Sequence, residues 1–165
     1  MRMSKSIAAA IVFSLGATVA HAQGTATGTF TVNGKATKLA YAYVRAEPHS
    51  PDRTRETVRV TLSNVKLTPA QLEFPFGLRG ATTAGQVHAV VAEIDATKTV
   101  ISTMLYDKAF GMDLVSTAGV SNKFEGTIDK KAVNGKLYRS GPGESNKVRY
   151  DFSVTFTAPI QRAGK

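Results

Sequence analysis

Val148-Arg149-Tyr150-Asp151-Phe152-Ser153-Val154-Thr155-Phe156-Thr157-Ala158 alternates between apolar and polar side chains without a break. Successive side chains of a strand point to opposite faces, so this stretch has one face for a core and one for water. Pro159 follows, and a residue that cannot donate to a ladder is expected to end the strand there. The same two-residue period recurs at Thr57 to Asn64, where Val58, Val60 and Leu62 oppose Arg59, Thr61 and Ser63. It recurs again at Lys123 to Asp129, with Phe124, Gly126 and Ile128 on one side. Val87 to Ile94 is apolar on both faces, as a central strand is, and Val100 to Tyr106 returns beside it after the turn Ala96-Thr97-Lys98.

The turns fit the strands. Asn33-Gly34 lies between Thr29 to Val32 and Leu39 to Val44, and type I′ hairpins need the positive φ that Asn and Gly tolerate. Asn134-Gly135, between Val133 and Leu137, reads as a second such turn. Thr68-Pro69-Ala70-Gln71 has the capping residues of one short helix that Pro75 ends. Residues 48–55 and 140–146 are polar loops. These signals predict an all-β fold, an antiparallel sandwich or small barrel of about eight strands with at most one short helix.

Composition agrees with one folded domain. The chain has 165 residues, 42% of them hydrophobic and 20% charged, which excludes a disordered polymer. With no Cys, a disulfide scaffold, a thiolate metal site and a cysteine nucleophile are excluded.

Residues 1–22 read as a secretory signal peptide. Arg2 and Lys5 give a positive start, Ile7 to Ala20 is apolar, and Ala20-His21-Ala22 presents small residues for cleavage. The apolar stretch is shorter than the roughly 20 residues that cross a bilayer, and Ser14, Gly16 and Thr18 interrupt it. The expected product is a single β-rich domain over residues 23–165, periplasmic or extracellular, with no transmembrane helix after the leader is removed.

No catalytic constellation is legible. His49 has Asp52 close behind, yet two ligands fall short of the three or four that zinc takes. Glu93 and Asp95 share a strand face about 7 Å apart at the usual rise, near the spacing of glycosidase carboxylates. Such pairs come from different strands across a cleft, and these two flank a turn. There is no Gly-x-Ser-x-Gly elbow and no phosphate-cradling glycine loop before a helix. Neither a cofactor nor a metal site is expected.

The formal net charge is +9, with Arg53, Arg55 and Arg59 in one cluster and Lys130, Lys131, Lys136 and Arg139 in another. Nucleic-acid binders interleave such charges with stacking aromatics, and only Tyr138 is so placed, so nucleic acid is not an expected partner. The basic residues read first as a solvated surface that suits solubility, with a diffuse attraction to anionic envelope polymers or lipid headgroups as the alternative.

The candidate ligand-binding residues are Tyr41, Tyr43 and His88. Tyr41 and Tyr43 share a strand face with Leu39 and oppose the small Ala40 and Ala42, while His88 lies on the face of Val90, Ala92 and Ile94. Tyrosine offers an apolar ring with an orienting hydroxyl, and a pocket needs a few such polar groups. The plainer reading is that all three fill the core with their polar atoms satisfied.

Gly28-Thr29-Phe30-Thr31-Val32-Asn33-Gly34-Lys35 and Tyr150 to Ile160, together with the leader, resemble uncharacterised exported bacterial β-rich proteins of unknown function. The resemblance covers both ends of the domain and brings no activity with it. The expected function is a non-enzymatic exported domain that binds a small ligand or an envelope partner. The rivals are a small outer-membrane β-barrel and a hydrolase using His49 or His88 with a carboxylate. The absence of Trp for an aromatic girdle counts against the membrane barrel.

Overall fold

A computed structural model describes residues 22–49, 52–73, 76–111, 115–117 and 121–162. Apart from Ala22, the signal-peptide expectation lies outside the described residues. The strands are β1 (Gly24–Val32), β2 (Lys35–Pro48), β3 (Glu56–Ser63), β4 (Ala89–Asp95), β5 (Val100–Tyr106), β6 (Val115–Thr117), β7 (Asn122–Ile128), β8 (Ala132–Arg139), β9 (Gly143–Ser145) and β10 (Val148–Arg162). They form one sheet in the order β6-β5-β4-β3-β2-β1-β10-β8-β7, with β9 on β10. The sheet curls into a half-barrel, so β5 comes near β7. The expected all-β class holds.

β10 organises the interior as its alternation predicts. Tyr150, Phe152, Val154, Phe156 and Ala158 are buried, while Arg149, Ser153, Thr155 and Thr157 are exposed. Phe152 stands opposite Phe30 of β1, and Leu39, Val60, Leu105 and Leu137 belong to the same cluster. Burying each such large side chain contributes about 1.5–3 kcal/mol. The concave side is therefore filled with side chains.

Pro159 does not end β10, which continues to Arg162. Ile160 donates its N–H to the Lys131 carbonyl on the β8 side (2.7 Å), so the Pro159 nitrogen points the other way. On that side β1 has already run out, with Thr25 opposite Thr157 and Gly24 its first residue. The missing donor falls in the gap, after which Ile160, Gln161 and Arg162 pair in parallel with Val44, Arg45 and Ala46.

Asn33 and Gly34 form the expected turn, at φ 48° and 80°. Asn134-Gly135 does not turn; it lies inside β8. The β7–β8 turn comes earlier, where the Asp129 carboxylate accepts the N–H groups of Lys131 (2.7 Å) and Ala132 (2.8 Å). Gly135 instead pairs with Gly126 across the ladder, and a Cβ on either would strike the partner backbone and the Phe124 ring. The loop expected at 140–146 also contains structure. β9 pairs with Val148 to Tyr150 through a turn in which Asn146 and Lys147 both have positive φ.

β3 and β4 are adjacent and antiparallel, yet residues 64–88 join them in place of a tight turn. Connections this long usually carry a function. The segment crosses the outer face of the sheet. The short helix expected there is only a single 3-10 turn (Ala70–Leu72), where Thr68 and Gln71 cap one another through side chain and backbone. The segment also holds α1 (Arg79–Thr83), which the sequence did not announce because Gly80 and two Thr form helices poorly. This cover explains why β4 is apolar on both faces. Val90, Ala92 and Ile94 enter the interior, and Ala89 and Val91 pack with Leu67 and Leu78 of the crossing segment.

Candidate functional site

The two faces of β2 have different fates. Ala42 and Val44 belong to the interior cluster and Ala46 is buried in the same register, so Tyr41, Tyr43, Arg45 and Glu47 lie on the outer face. Leu39 also packs in the interior, which separates it from the two tyrosines. The shared face expected for Leu39, Tyr41 and Tyr43 is broken where the β1–β2 register shifts between Thr25 and Gly28. An irregularity of this kind moves the alternation by one residue.

Tyr43 is buried in a second apolar cluster with Leu67, Leu78, Val91 and Tyr106, and Tyr41 packs against it half-buried. The Tyr43 hydroxyl accepts the Leu67 N–H (2.9 Å) and so ties the crossing segment to the sheet. Burial raises the Tyr43 pKa and pushes Tyr106 up to about 12. Both phenols are neutral donors at ordinary pH.

His88 stands apart from the tyrosines. It precedes β4, and its N–H and carbonyl are both engaged by Asn64 (2.8 and 3.1 Å). Its Nδ1 lies 2.6 Å from Oδ2 of Asp107, whose Oδ1 accepts the Ala109 N–H (2.8 Å). Alternation places it with Val90 on the barrel side, opposite in sense to Ala89 and Val91. Asp107 was missed in the sequence because the β4–β5 hairpin separates the two residues. The register carried the signal, since Ala89 faces Tyr106 and the next pair outward is His88 with Asp107.

His49 does not use Asp52. The Asp52 carboxylate accepts from the Thr54 N–H (3.1 Å) and hydroxyl (2.6 Å), an ordinary loop cap. His49 Nδ1 is instead 3.6 Å from Glu93 Oε1, and Glu93 also accepts from the Thr57 hydroxyl (3.1 Å). Asp95 is occupied with its turn, accepting from Thr97 and Thr99, with Arg55 at 3.6 Å. Among the described residues, no three His, Asp or Glu side chains are grouped to hold a metal ion.

The outer row beyond Tyr43 is charged. Arg45 and Arg59 face one another directly in the β2–β3 register, with Glu93 next across β4. Glu47 contacts both arginines, and Glu73 of the crossing segment comes within 4.0 Å of Arg45. Burial, and then the Arg45 charge beside it, pull the Arg59 guanidinium down to about 10, so it stays charged at neutral pH.

Two small hollows, of about 20 and 10 Å³, flank this row and share Arg59, Thr61 and Leu72 in their walls. Each is on the scale of a single water. The larger one adds Tyr43, Arg45 and Gln161. A separate open concavity of about 350 Å³ lies at the rim, where Arg53, Arg55 and Arg162 meet Glu47 and Glu56 beside the buried Ala46. The two hollows share a wall and together form a small groove beside the crossing segment, with Tyr43, Leu72 and Leu78 at its apolar end and Arg45 and Arg59 at its charged end.

No family model, curated protein or solved structure matches the chain. The reading of the groove therefore rests on its own chemistry. Guanidinium groups, an amide and hydroxyls next to an apolar wall can orient a ligand. The sequence pointed to Arg59 as part of a basic cluster but gave no sign of Arg45 opposite it, because a cross-strand pair exists only once the register is set.

Proposed function

We propose that this chain is an exported, non-enzymatic β domain that binds a small ligand or a component of the cell envelope in the outer groove. The observation that carries this reading is the contrast between the two faces. The concave interior is filled by Phe30, Phe152, Leu39 and their neighbours, whereas the outer face brings an apolar wall and the Arg45–Arg59 pair to one small groove. The inward apolar alternation of β10 is opposite to that of a membrane barrel, whose apolar side chains face lipid. Export rests on the leader-like residues 1–22 and agrees with a chain free of Cys.

Thermal-shift titration of the exported protein with small amphipathic molecules tests the proposal. A ligand specific to the native state stabilises it by about 2.7 kcal/mol at a hundredfold excess over Kd. The stabilisation should vanish in Tyr43→Phe or Arg45→Gln. Ligands whose effect ignores both substitutions would remove the groove from consideration.

One observation favours a second reading, a hydrolase. His88 is held by backbone and carboxylate as a general base is, with Nδ1 on Asp107. Ester hydrolysis lost in His88→Asn and kept in Arg45→Gln would support it. Activity that survives His88→Asn would end it.

A further inference from the structure

We propose that the outer face along β1 and β10 docks an anionic polysaccharide strand on a floor of threonine and serine hydroxyls. This surface is separate from the groove. Residues 64–88 cover the outer face from β2 to β5, where they pack on Tyr43, Val91 and Met104. They leave β1 and β10 open to water. Ala26, Phe30, Phe152 and Phe156 point inward, so the alternate residues of these strands point outward. Those residues are Thr25, Thr27 and Thr29 on β1, with Thr157, Thr155 and Ser153 directly opposite on β10. Rungs two residues apart in an antiparallel ladder are of one type, so the spacing repeats. The six side chains form a grid, stepping about 6.8 Å along the strands and about 4.5–5.5 Å across them.

None of the six hydroxyls has a hydrogen-bond partner among the described residues. Each can donate and accept. Threonine has few rotamers, so the floor is ordered before anything binds and little entropy is lost on contact. Outward positions elsewhere in the sheet carry charge, as Lys123 and Glu125 do on β7 and Arg45 and Glu47 on β2. The grid itself is uncharged.

The surroundings select the partner. β1 and β10 both have strand neighbours on either side, so an added peptide strand has no free ladder to join. The grid holds no large apolar side chain to enter lipid and no aromatic to stack a base. Hydroxyls match the hydroxyls and ring oxygens of a sugar chain. Lys38 faces Thr29 from β2 and Lys136 faces Thr155 from β8, which puts a cation on each side of the floor. The acids nearby are engaged. Glu125 accepts from the Tyr138 hydroxyl, and Asp151, at the end of the row, accepts the Phe152 N–H (2.8 Å). A sugar chain that carries carboxylates therefore suits this strip better than a neutral one.

Calorimetric titration of the exported protein with carboxymethyl cellulose and with hydroxyethyl cellulose tests this. The two polymers share a backbone and differ in charge. We expect carboxymethyl cellulose to bind at least tenfold more tightly at low salt. Thr27→Val combined with Thr155→Val keeps the shape, suits a strand and removes two central hydroxyls. It should weaken carboxymethyl cellulose at least fivefold. Lys38→Gln combined with Lys136→Gln should bring the two polymers to equal affinity. Arg53→Gln combined with Lys108→Gln removes the same charge from exposed sites off the strip and should leave the preference in place. Equal loss in both charge variants would reduce the binding to diffuse attraction and overturn the proposal. Carboxymethyl cellulose binding that ignores the valine pair would overturn the hydroxyl floor. Binding of neither polymer would overturn the proposal outright, and the groove reading, whose residues are unchanged throughout, would stand or fall on its own titration.

Discussion

Phe30 and Phe152 stand directly opposite one another in the β1–β10 ladder, and both are fully buried. Their contact joins an early strand to the most C-terminal strand described and lies within the interior cluster.

Phe152→Ala should therefore destabilise the domain by about 3–5 kcal/mol, the range for deleting a buried ring. Ser153→Ala, one residue on and exposed, should change stability by less than about 0.5 kcal/mol. Urea melts of the two variants compare the faces directly, and similar midpoints would contradict the inward placement of Phe152.

Tyr43→Phe keeps the ring and removes the acceptor of the Leu67 N–H. Leaving that buried donor unpaired should cost about 1–3 kcal/mol. Amide exchange read by NMR should speed up at Leu67 more than at Val60 in the interior. Unchanged protection at Leu67 would mean the hydroxyl does not hold the crossing segment.

Gly135→Ala should be disruptive although the residue is not in a turn. The new methyl group meets the Phe124 ring and the backbone of β7, and overpacking of this kind costs about 1–3 kcal/mol. The turn glycine Gly34 has open space around its missing Cβ, so Gly34→Ala meets only the strain of its positive φ. Thermal melts should show a lowered midpoint in Gly135→Ala together with altered near-ultraviolet dichroism from Phe124.

Acid should weaken the β4–β5 turn. Burial pushes the Asp95 carboxyl up, but hydrogen bonds from Thr97 and Thr99 and the Arg55 charge outweigh it, and the pKa is lowered. A lowered folded-state value stabilises the protein above the unfolded value near 3.9, and that contribution is lost as pH falls through the folded value. Stability measured from pH 6 down to pH 2 should decline more steeply in the native protein than in Asp95→Asn. Parallel curves would show that Asp95 contributes nothing.

The exported protein should begin at Gln23, with the leader removed after Ala22. Intact-mass measurement reads this directly. A mature protein that retains Met1 would defeat the export proposal.

Strands were legible wherever one face was wet. β10 and β7 follow a two-residue period because solvent on one side and core on the other impose it, whereas β3 keeps the period although the crossing segment and its neighbours bury Thr57, Thr61 and Ser63 on its polar side. Local signals failed where a distant strand decided the outcome. Asn134-Gly135 has turn chemistry, yet Gly126 opposite needs a partner without a side chain. Pro159 has terminator chemistry, yet its nitrogen faces a gap between two strands. Tyr41 and Tyr43 were correctly placed on one face together. Which side that face occupied depended on residues 64–88, whose cover has no periodic signature. The arginine pair and the His88–Asp107 contact both depend on register, a property of two strands at once.

β10 has a consequence for how the protein is made. It pairs with β1, β8, β9 and the end of β2, so the earliest strand waits for the latest one before the sheet can close. Contacts this distant along the chain form slowly. A nascent chain can pair β1 with β2 and β4 with β5 as they emerge, but the interior that Phe152 completes stays open to water until the last strand arrives.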